Sequence, residues 1–361
     1  MTLATTNYLT PTGREEAWRF TPLARLGGLH DAAVPLLSRS SLIADALPAG
    51  VSMAEISAAD YVTKSQTEDQ ISHRVFESAQ SVSELKISAH TELEAPIFLR
   101  RNAAGLEPEC SRLAIHVGAH AHATVVISNL GQSVLAEDIE ITLEPGSNLR
   151  FISLQEWDEG SIHAARHHAI VGRDATFTSH VITVGGSLVR LLPTVEYSGP
   201  GASAELNGLY FATSGQHLEH RVHVEHGGPA AKSRVNYKGA LAGDNARTVW
   251  IGDVFIRAAA EGTDTYELNR NLLLSDGARA DSVPNLEIET GEIVGAGHAS
   301  TTGRFDDEQL FYLESRGIPA AEARRLVIRG FFAEIVSKLH LSDVEERIML
   351  RIDNELAEVG K

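Results

Sequence analysis

The chain is poor in cysteine: of its 361 residues, only Cys110 carries a thiol. A single cysteine forms no disulfide within the chain, which fits a reducing compartment. Iron–sulfur clusters are usually held by about four thiolates. The chain alone therefore has too few thiols to hold such a cluster in the usual way.

Long apolar runs and basic residues are also scarce. No stretch approaches the roughly 18 uncharged apolar residues of a membrane helix, and residues 1–13 lack the pattern of a secretory signal. Lys and Arg total 31 against 48 Asp and Glu, which gives a net charge of −17. Because an acidic surface repels phosphate backbones, we expect no nucleic-acid partner. We predict a soluble cytoplasmic protein without membrane insertion.

Motifs for nucleotide binding and nucleophilic catalysis are missing. A phosphate-binding loop needs Gly-Lys followed by Ser or Thr, since its amides and lysine hold phosphates. The chain has Gly-Lys only at Gly360 and Lys361. It contains neither a dinucleotide fingerprint nor a Gly-x-Ser-x-Gly elbow, and no carboxylate pair stands out as an acid–base couple. We therefore predict that the chain is not an enzyme.

Short β-rich runs recur over residues 86–300. From Gly118 to Gly291 a glycine recurs about every 14 residues, an interval that one strand and one turn fill. This repetition predicts an all-β body, either a β-helix, a sandwich or a barrel. The predicted strands are 112–117, 123–128, 139–143, 149–154, 176–184, 188–197, 204–211, 222–225, 234–241 and 248–256.

The two ends of the chain have a different pattern. Residues 1–85 are predicted to be helix and loop, with weak helical faces between Met53 and Gln80 and with Trp18 as an anchor to the core. Residues 301–361 are predicted to form three helices, beginning near Asp306, Pro319 and Ser342. The expected buried stripe of the second helix is Ala323, Leu326, Val327, Phe331, Ile335 and Leu339, and that of the third is Val344, Ile348, Ile352 and Leu356.

Several of the 16 histidines are clustered. On a strand, His220 and His226 face one way and His223 the other, so one strand cannot direct all three to one ion. We interpret the clusters as ordinary strand or surface residues; a mononuclear metal site would need a facing strand. The clusters are His116, His120 and His122; His163, His167 and His168; and His217, His220, His223 and His226.

His298 lies apart from these clusters, in the segment GAGHASTTG at residues 295–303. Its neighbours are small, and we expect this segment to be a flexible junction between the β body and the helices. From the residues alone, two roles are open for His298: it stabilises the fold, or its imidazole contacts another chain.

One C-terminal segment identifies a family. Residues 306–332 contain Gln-Leu-Phe-Tyr-Leu, Ser-Arg-Gly-Ile and Gly-Phe in that order. With RNLLLS at 270–275, PNLEI at 284–288, YKGAL at 237–241 and EEAWRFT at 15–21, this segment resembles the SufB/SufD family of iron–sulfur cluster assembly scaffold proteins. The resemblance covers nearly the whole chain.

The resemblance implies a mainly β fold: a right-handed parallel β-helix at 86–300, between an N-terminal helical region at 1–85 and a C-terminal α-helical domain at 301–361. It implies pairing with SufB through the β-helix and docking of the SufC ATPase on the C-terminal helices. The residues it assigns to partner binding are Leu310, Phe311, Arg316, Gly317, Leu326 and Phe331.

The resemblance further implies that His298 is a metal ligand for a transient iron–sulfur cluster shared with SufB. The single cysteine, the chain length, and Ala296 and Gly297 before His298 all favour the SufD branch over SufB. Many SufD proteins have Val-Lys-Cys-Ser-His here, and this chain lacks the thiol. A flavin has been associated with the complex, but no pattern here predicts one. The alternatives are a mononuclear metal-binding β protein and a β-helix enzyme that processes polysaccharides.

Overall fold

The computed structural model describes residues 10–39, 42–305 and 307–359, so Asp306, the expected start of the first C-terminal helix, lies outside the described residues. The strands are β1 (Leu37–Ser38), β2 (Ile43–Ala44), β3 (Val51–Ser57), β4 (Ser81–Ile87), β5 (Ile97–Val117), β6 (His122–Leu143), β7 (Asn148–Trp157), β8 (Ile162–Val171), β9 (Thr176–Thr183), β10 (Leu188–Tyr197), β11 (Ser203–Ala212), β12 (His217–His226), β13 (Lys232–Leu241), β14 (Arg247–Ile256), β15 (Asp264–Leu273), β16 (Arg279–Ile288) and β17 (Gly295–Arg304). The helices are α1 (Gln70–Ser78), α2 (Asp307–Ser315), α3 (Ala320–Ser337) and α4 (Ser342–Val359).

From β7 onward, each strand pairs in parallel with the strand two places later in the chain. Thus β8 pairs with β10 and β10 with β12, while β9 pairs with β11 and β11 with β13. The chain therefore passes alternately through two parallel sheets and forms a β-solenoid of about eight turns. The parallel β-helix is confirmed, and the glycine interval corresponds to half a turn, because each turn holds two strands.

In-register stacking of the turns builds the core. One inward column runs through Ile115, Ile141, Ala169, Val195, Val224 and Val254. All six side chains are buried. Burial of aliphatic side chains contributes roughly 1.5–3 kcal/mol each, so such columns supply much of the free energy that holds successive turns together.

The turns between strands require left-handed backbone at some glycines. Gly146 and Gly215 have φ of 68° and 74°, a region that glycine enters without steric strain. The predicted role of glycine as a turn residue is confirmed at these positions.

The C-terminal helices pack on the outer face of one sheet. Ile328 and Phe332 of α3 and Ile348 of α4 lie in one cluster with Ile152 of β7 and Phe211 of β11. None of the described helices is both long and apolar enough to cross a membrane.

The predicted stripe of α3 is partly wrong. Ala323, Ile335 and Leu339 are buried as expected, but Leu326 is exposed and Phe331 is half-buried. Ile328 and Phe332 contact the sheet instead, because the side of α3 that faces the sheet is rotated from the predicted side. The predicted stripe of α4 is confirmed at Val344, Ile348 and Ile352, and Leu356 packs against the same cluster.

The N-terminal region is less helical than predicted. Residues 51–57 form β3, antiparallel to β4, and the helical pattern is realised only in α1. Ile71 and Val75 of α1 pack with Trp18 in a separate apolar cluster. Trp18 is buried, and the Arg190 guanidinium lies 4.1 Å from its ring centroid. The anchoring role predicted for Trp18 is confirmed.

Two interior glycines make room for tyrosine rings. A Cβ on Gly239 would lie 1.9 Å from Cε2 of Tyr210, and one on Gly208 would lie 2.0 Å from Cε1 of Tyr237. Both tyrosines are buried inside the solenoid. A larger residue at either glycine would therefore displace a ring that has no free space to enter.

We predict that Gly239→Ala lowers the free energy of unfolding by about 1–3 kcal/mol, since overpacking forces side chains off their rotamers. Urea unfolding measures the effect. Gly228→Ala is the matched control, because no atom lies within 4 Å of the Cβ it would add; its change should stay within about 0.5 kcal/mol. Equal midpoints for the two variants would contradict the role of Gly239.

Candidate metal-binding end of the solenoid

A polar column runs through the apolar interior. The register aligns Arg101, Asn129, Gln155, Thr183, Tyr210, Gly239, Asn271 and Thr302, one residue per turn. We call this set the polar column. Buried polar groups lose free energy unless they are hydrogen-bonded, so its members must be satisfied by neighbours in the same turn or the next.

At its first end, the polar column is closed by a buried ion pair. Arg101 donates to Glu137 and to Asn129, and both charged side chains are fully buried. Burial alone would raise the pKa of Glu137, but the charge of Arg101 and a bond from His163 hold it well below its usual range. Gln155 lies 2.9 Å from Nδ1 of His163 and continues the network.

The middle of the polar column uses imidazole, hydroxyl and amide groups. Thr183 Oγ1 lies 2.9 Å from Nε2 of His220. The Tyr210 hydroxyl donates to Asn271 at 2.9 Å and accepts from Asn269 at 2.8 Å. These bonds carry the network toward the last turn.

Two of the buried histidines show the effect of the apolar interior on imidazole. Burial lowers the pKa of His167 to about 4 and that of His220 to about 3. As predicted, His220 and His226 lie on one face of β12 and His223 on the other; the face of His220 and His226 is buried, and His223 is half-buried. Within the part of the chain that the structure describes, no three His, Cys, Asp or Glu side chains are grouped to hold a metal ion.

The last turn has unpaired edges. β16 pairs with β14 and β17 with β15, and no described strand is registered on their other sides. Ser300 of β17 donates to Ser282 of β16 at 2.8 Å, and Ser282 donates to Asn269 at 2.8 Å. These bonds tie the two sheets together at what we call the open end, the turn formed by β16 and β17.

His298 lies at this open end. It belongs to β17, its register partner is Glu267 of β15, and its side chain is exposed. The expected flexible junction is wrong: residues 295–304 form a regular strand. The small residues adopt this conformation because β15 offers a complete edge of backbone donors and acceptors. The backbone of His298 is therefore fixed while its imidazole faces solvent.

Glu267 is the residue that sequence reasoning missed. Its carboxylate is fully buried, and neither oxygen has a hydrogen-bond partner among the described residues. Burial raises the pKa of Glu267 to about 8, and the negative charge of Asp253 adds to the shift. The only sequence signal for it is its place one solenoid turn before His298.

The residues expected to bind a partner lie on α2, α3 and the turn between them. Phe311 is 72% and Leu326 42% exposed, Arg316 and Gly317 are exposed, and Leu310 is half-buried. Phe331 instead packs against the helix–sheet cluster, and its carbonyl oxygen accepts a bond from Nζ of Lys238 at 3.0 Å. Phe331 therefore contributes to holding α3 on the sheet.

The fold and the open end together define a class: a parallel β-solenoid with helices on one face and an exposed histidine on its terminal strand. The SufBD core domain family of the SUF system for FeS cluster assembly matches residues 99–331. The chain is 45% identical over 355 residues to an iron–sulfur cluster assembly SufBD family protein of Mycobacterium tuberculosis, covering 96% of this chain and 89% of that protein.

Two other relatives extend the comparison. A SufBD family protein of Mycobacterium leprae is 45% identical over 359 residues, covering 96% of this chain and 90% of that protein. The iron–sulfur cluster assembly protein SufD of Escherichia coli is 28% identical over 287 residues, covering 77% of this chain and 67% of that protein. The chain belongs to the SufB/SufD family of iron–sulfur cluster assembly proteins.

The raised pKa of Glu267 predicts how the stability of the fold depends on pH. Between about pH 4.5 and 8 the folded chain binds more protons at this site than the unfolded chain, so the free energy of unfolding falls as pH rises. Glu267→Gln removes this loss. We expect Glu267→Gln to be the more stable protein above pH 8, by roughly 3–5 kcal/mol, and to match the wild type near pH 5.

Urea unfolding across this pH range measures the difference. Glu287→Gln is the control, because Glu287 is exposed on β16 and its removal should leave the pH profile unchanged. If the free energy of unfolding changes with pH in the same way for the wild type and Glu267→Gln, the pKa of Glu267 is not raised and the prediction is wrong.

Proposed function

We propose that the chain is a SufD-type scaffold subunit of the SUF assembly complex, which pairs with SufB, docks the SufC ATPase and helps to hold a nascent iron–sulfur cluster. The observation that carries this proposal is the exposed imidazole of His298, fixed on a terminal strand beside two unpaired edges. The similarity to the E. coli SufD protein supports the same branch.

The open end suits a strand-pairing partner. An unpaired strand edge presents backbone donors and acceptors that another chain's strand can complete. Tyr266, Ile288 and Val294 near this end are 44%, 43% and 74% exposed. We place the SufB contact here, where backbone pairing and burial of these three side chains act together.

At such an interface His298 would supply one ligand to the cluster. Imidazole replaces thiolate on cluster iron in Rieske centres. Cys110 is unsuited to this role, since it is buried in the N-terminal cluster and burial raises the pKa of its thiol to about 11. Most ligands would therefore come from SufB, and the cluster would be a transient cargo. No flavin site is part of the proposal.

The C-terminal helices are proposed to dock SufC. Phe311, Tyr312 and Leu326 expose apolar surface on α2 and α3, whereas the opposite side of α3 is committed to the sheet. ATP hydrolysis would belong to SufC, and this chain would have no turnover of its own. We place the complex in the cytoplasm, in keeping with the reduced state of Cys110.

We predict that His298→Ala assembles with SufB and SufC as the wild type does but reduces cluster formation in cells several-fold. An exposed side chain contributes little to folding, whereas a lost ligand acts on the cluster directly. Co-expression followed by mass measurement tests assembly, and the iron and sulfide content of the complex tests cluster formation. His122→Ala, an exposed histidine on β6, is the control. Normal cluster content in His298→Ala would remove this residue from the mechanism.

We predict that the double variant Phe311→Ser, Leu326→Ser loses SufC from the complex but keeps SufB. Both side chains are exposed, so stability should change by no more than about 1 kcal/mol for the pair. Point variants are preferable to deletion of the helices, which would uncover Ile152 and Phe211 of the sheet. Leu350→Ser on α4, 58% exposed, is the control. Retention of SufC by the double variant would place the docking surface elsewhere.

A further inference from the structure

Asn269 is an unusual side chain for its place in the solenoid. It lies on β15 and is fully buried. The column of register partners to which it belongs begins with Leu99 and Ile127 and is mainly apolar as far as Gly208. Apolar residues of similar shape can often replace a buried polar network without loss of stability. A requirement other than stability therefore favours an asparagine here.

The amide of Asn269 uses all of its hydrogen-bonding capacity. Its Nδ2 donates to the hydroxyl of Tyr210 at 2.8 Å and to the carbonyl oxygen of Tyr237 at 3.3 Å. Its Oδ1 accepts from Nδ2 of Asn271 at 2.7 Å and from Oγ of Ser282 at 2.8 Å. An asparagine amide has two donor hydrogens and two acceptor lone pairs. Because all of these are occupied, the amide is held in one orientation.

One of these bonds crosses to the opposite sheet. Ser282 lies on β16, where the register places it one turn after Trp250. A large interior side chain is thus followed by a small one, whose hydroxyl reaches Asn269. Oγ of Ser282 in turn accepts a hydrogen bond from Oγ of Ser300 on β17 at 2.8 Å. We call the bonded set Asn269, Ser282 and Ser300 the hydroxyl bridge, since it joins both strands of the open end to the interior.

The hydroxyl bridge fixes the two unpaired edges relative to each other. Backbone pairing holds β16 against β14 and β17 against β15, which are strands of different sheets. The hydroxyl bridge adds a contact across the interior between β16 and β17. Its inner end at Asn269 is buried, Ser282 is half-buried and Ser300 is exposed. A fully satisfied polar network specifies one arrangement of its members, so this arrangement extends from the rigid interior to the surface of the open end.

Resting on the proposed function, we propose that Asn269 is a positioning residue for the SufB contact and acts through Ser282 and Ser300. A partner that pairs with both edges at once must present two strands at a matching separation. An end already held in that arrangement avoids the entropy cost of ordering it on binding. Asn269 itself is fully buried, so its effect on the partner is indirect.

The deciding variant is Ser282→Ala, which breaks the hydroxyl bridge and leaves the other three hydrogen bonds of Asn269 in place. Calorimetry with the full chain measures its affinity for SufB. We expect Ser282→Ala to bind SufB about tenfold more weakly, because the two edges must then be ordered on binding. Asn269→Leu should have at least the same effect. Ser282→Thr, which keeps the hydroxyl, should bind as the wild type does.

Two controls separate positioning from a general loss of structure. Thr301→Ala removes an exposed hydroxyl of β17 that lies outside the hydroxyl bridge, and it should leave the SufB affinity unchanged. The affinity of Ser282→Ala for SufC should also be unchanged, because the proposed SufC surface lies on α2 and α3. The urea midpoint of Ser282→Ala should equal that of the wild type.

Hydrogen exchange of the isolated chain tests the hydroxyl bridge without SufB. The backbone amides of residues 295–304 should exchange several-fold faster in Ser282→Ala than in the wild type. Local opening near one end of the solenoid does not require global unfolding, so this change is expected at an unchanged urea midpoint. Ser282→Thr should restore the slower exchange.

Three outcomes would overturn the inference. If folded Ser282→Ala binds SufB as tightly as the wild type does, Asn269 does not position the contact, and the proposed function stands. If Ser282→Ala loses affinity for SufB and SufC together and its urea midpoint falls, Ser282 only stabilises the fold. If the wild-type chain does not bind SufB at all, the proposed function is wrong, and the positioning role is wrong with it.

Discussion

In-register stacking of parallel strands is the constraint on which the rest of this structure depends. Within the solenoid, an interior side chain is covered by the residue one turn before it and the residue one turn after it. An apolar residue can stack on an apolar one, as from Ile115 to Val254, but a polar residue in such a column would lose its hydrogen bonds. Many interior polar residues are therefore gathered in and beside one column from Arg101 to Thr302, where neighbours in the same turn or the next supply hydrogen-bond partners.

The same constraint separates the two ends. At the beginning, β1, β2 and β4 pair with β5, so the first turn is covered by the chain itself. At the other end nothing described stacks on β16 or β17, and the polar column reaches solvent through Thr302. The helices do not change this, because α3 and α4 cover the outer face of a sheet. The described residues of this end therefore leave backbone donors and acceptors that a strand of another chain can complete.

Much of the fold follows from local sequence signals, and the errors have nonlocal causes. Alternation and turn glycines are local, so most strands from 112 to 256 could be predicted. The prediction omits β8, whose run of Ala and His has weak strand propensity of its own and is held by its parallel neighbours β6 and β10. Residues 51–57 form a strand because β4 lies beside them, and the side of α3 that is buried depends on the sheet it meets. His298 could be singled out by its small neighbours and the family resemblance. Glu267 could not, because its significance depends on which residues lie one turn away.

Glu137 and Glu267 show how stacking decides the charge of an interior carboxyl. Glu137 and Glu267 are both interior carboxylates, but Glu137 has Arg101 within its own network and a lowered pKa, whereas Glu267 has a raised one. The difference is position: Glu137 lies where turns continue on both sides, and Glu267 lies one turn from the end. The charge of an interior carboxyl is therefore set by what stacks beside it: Glu137 is ionised against Arg101, and Glu267, without such a neighbour, keeps its proton up to about pH 8.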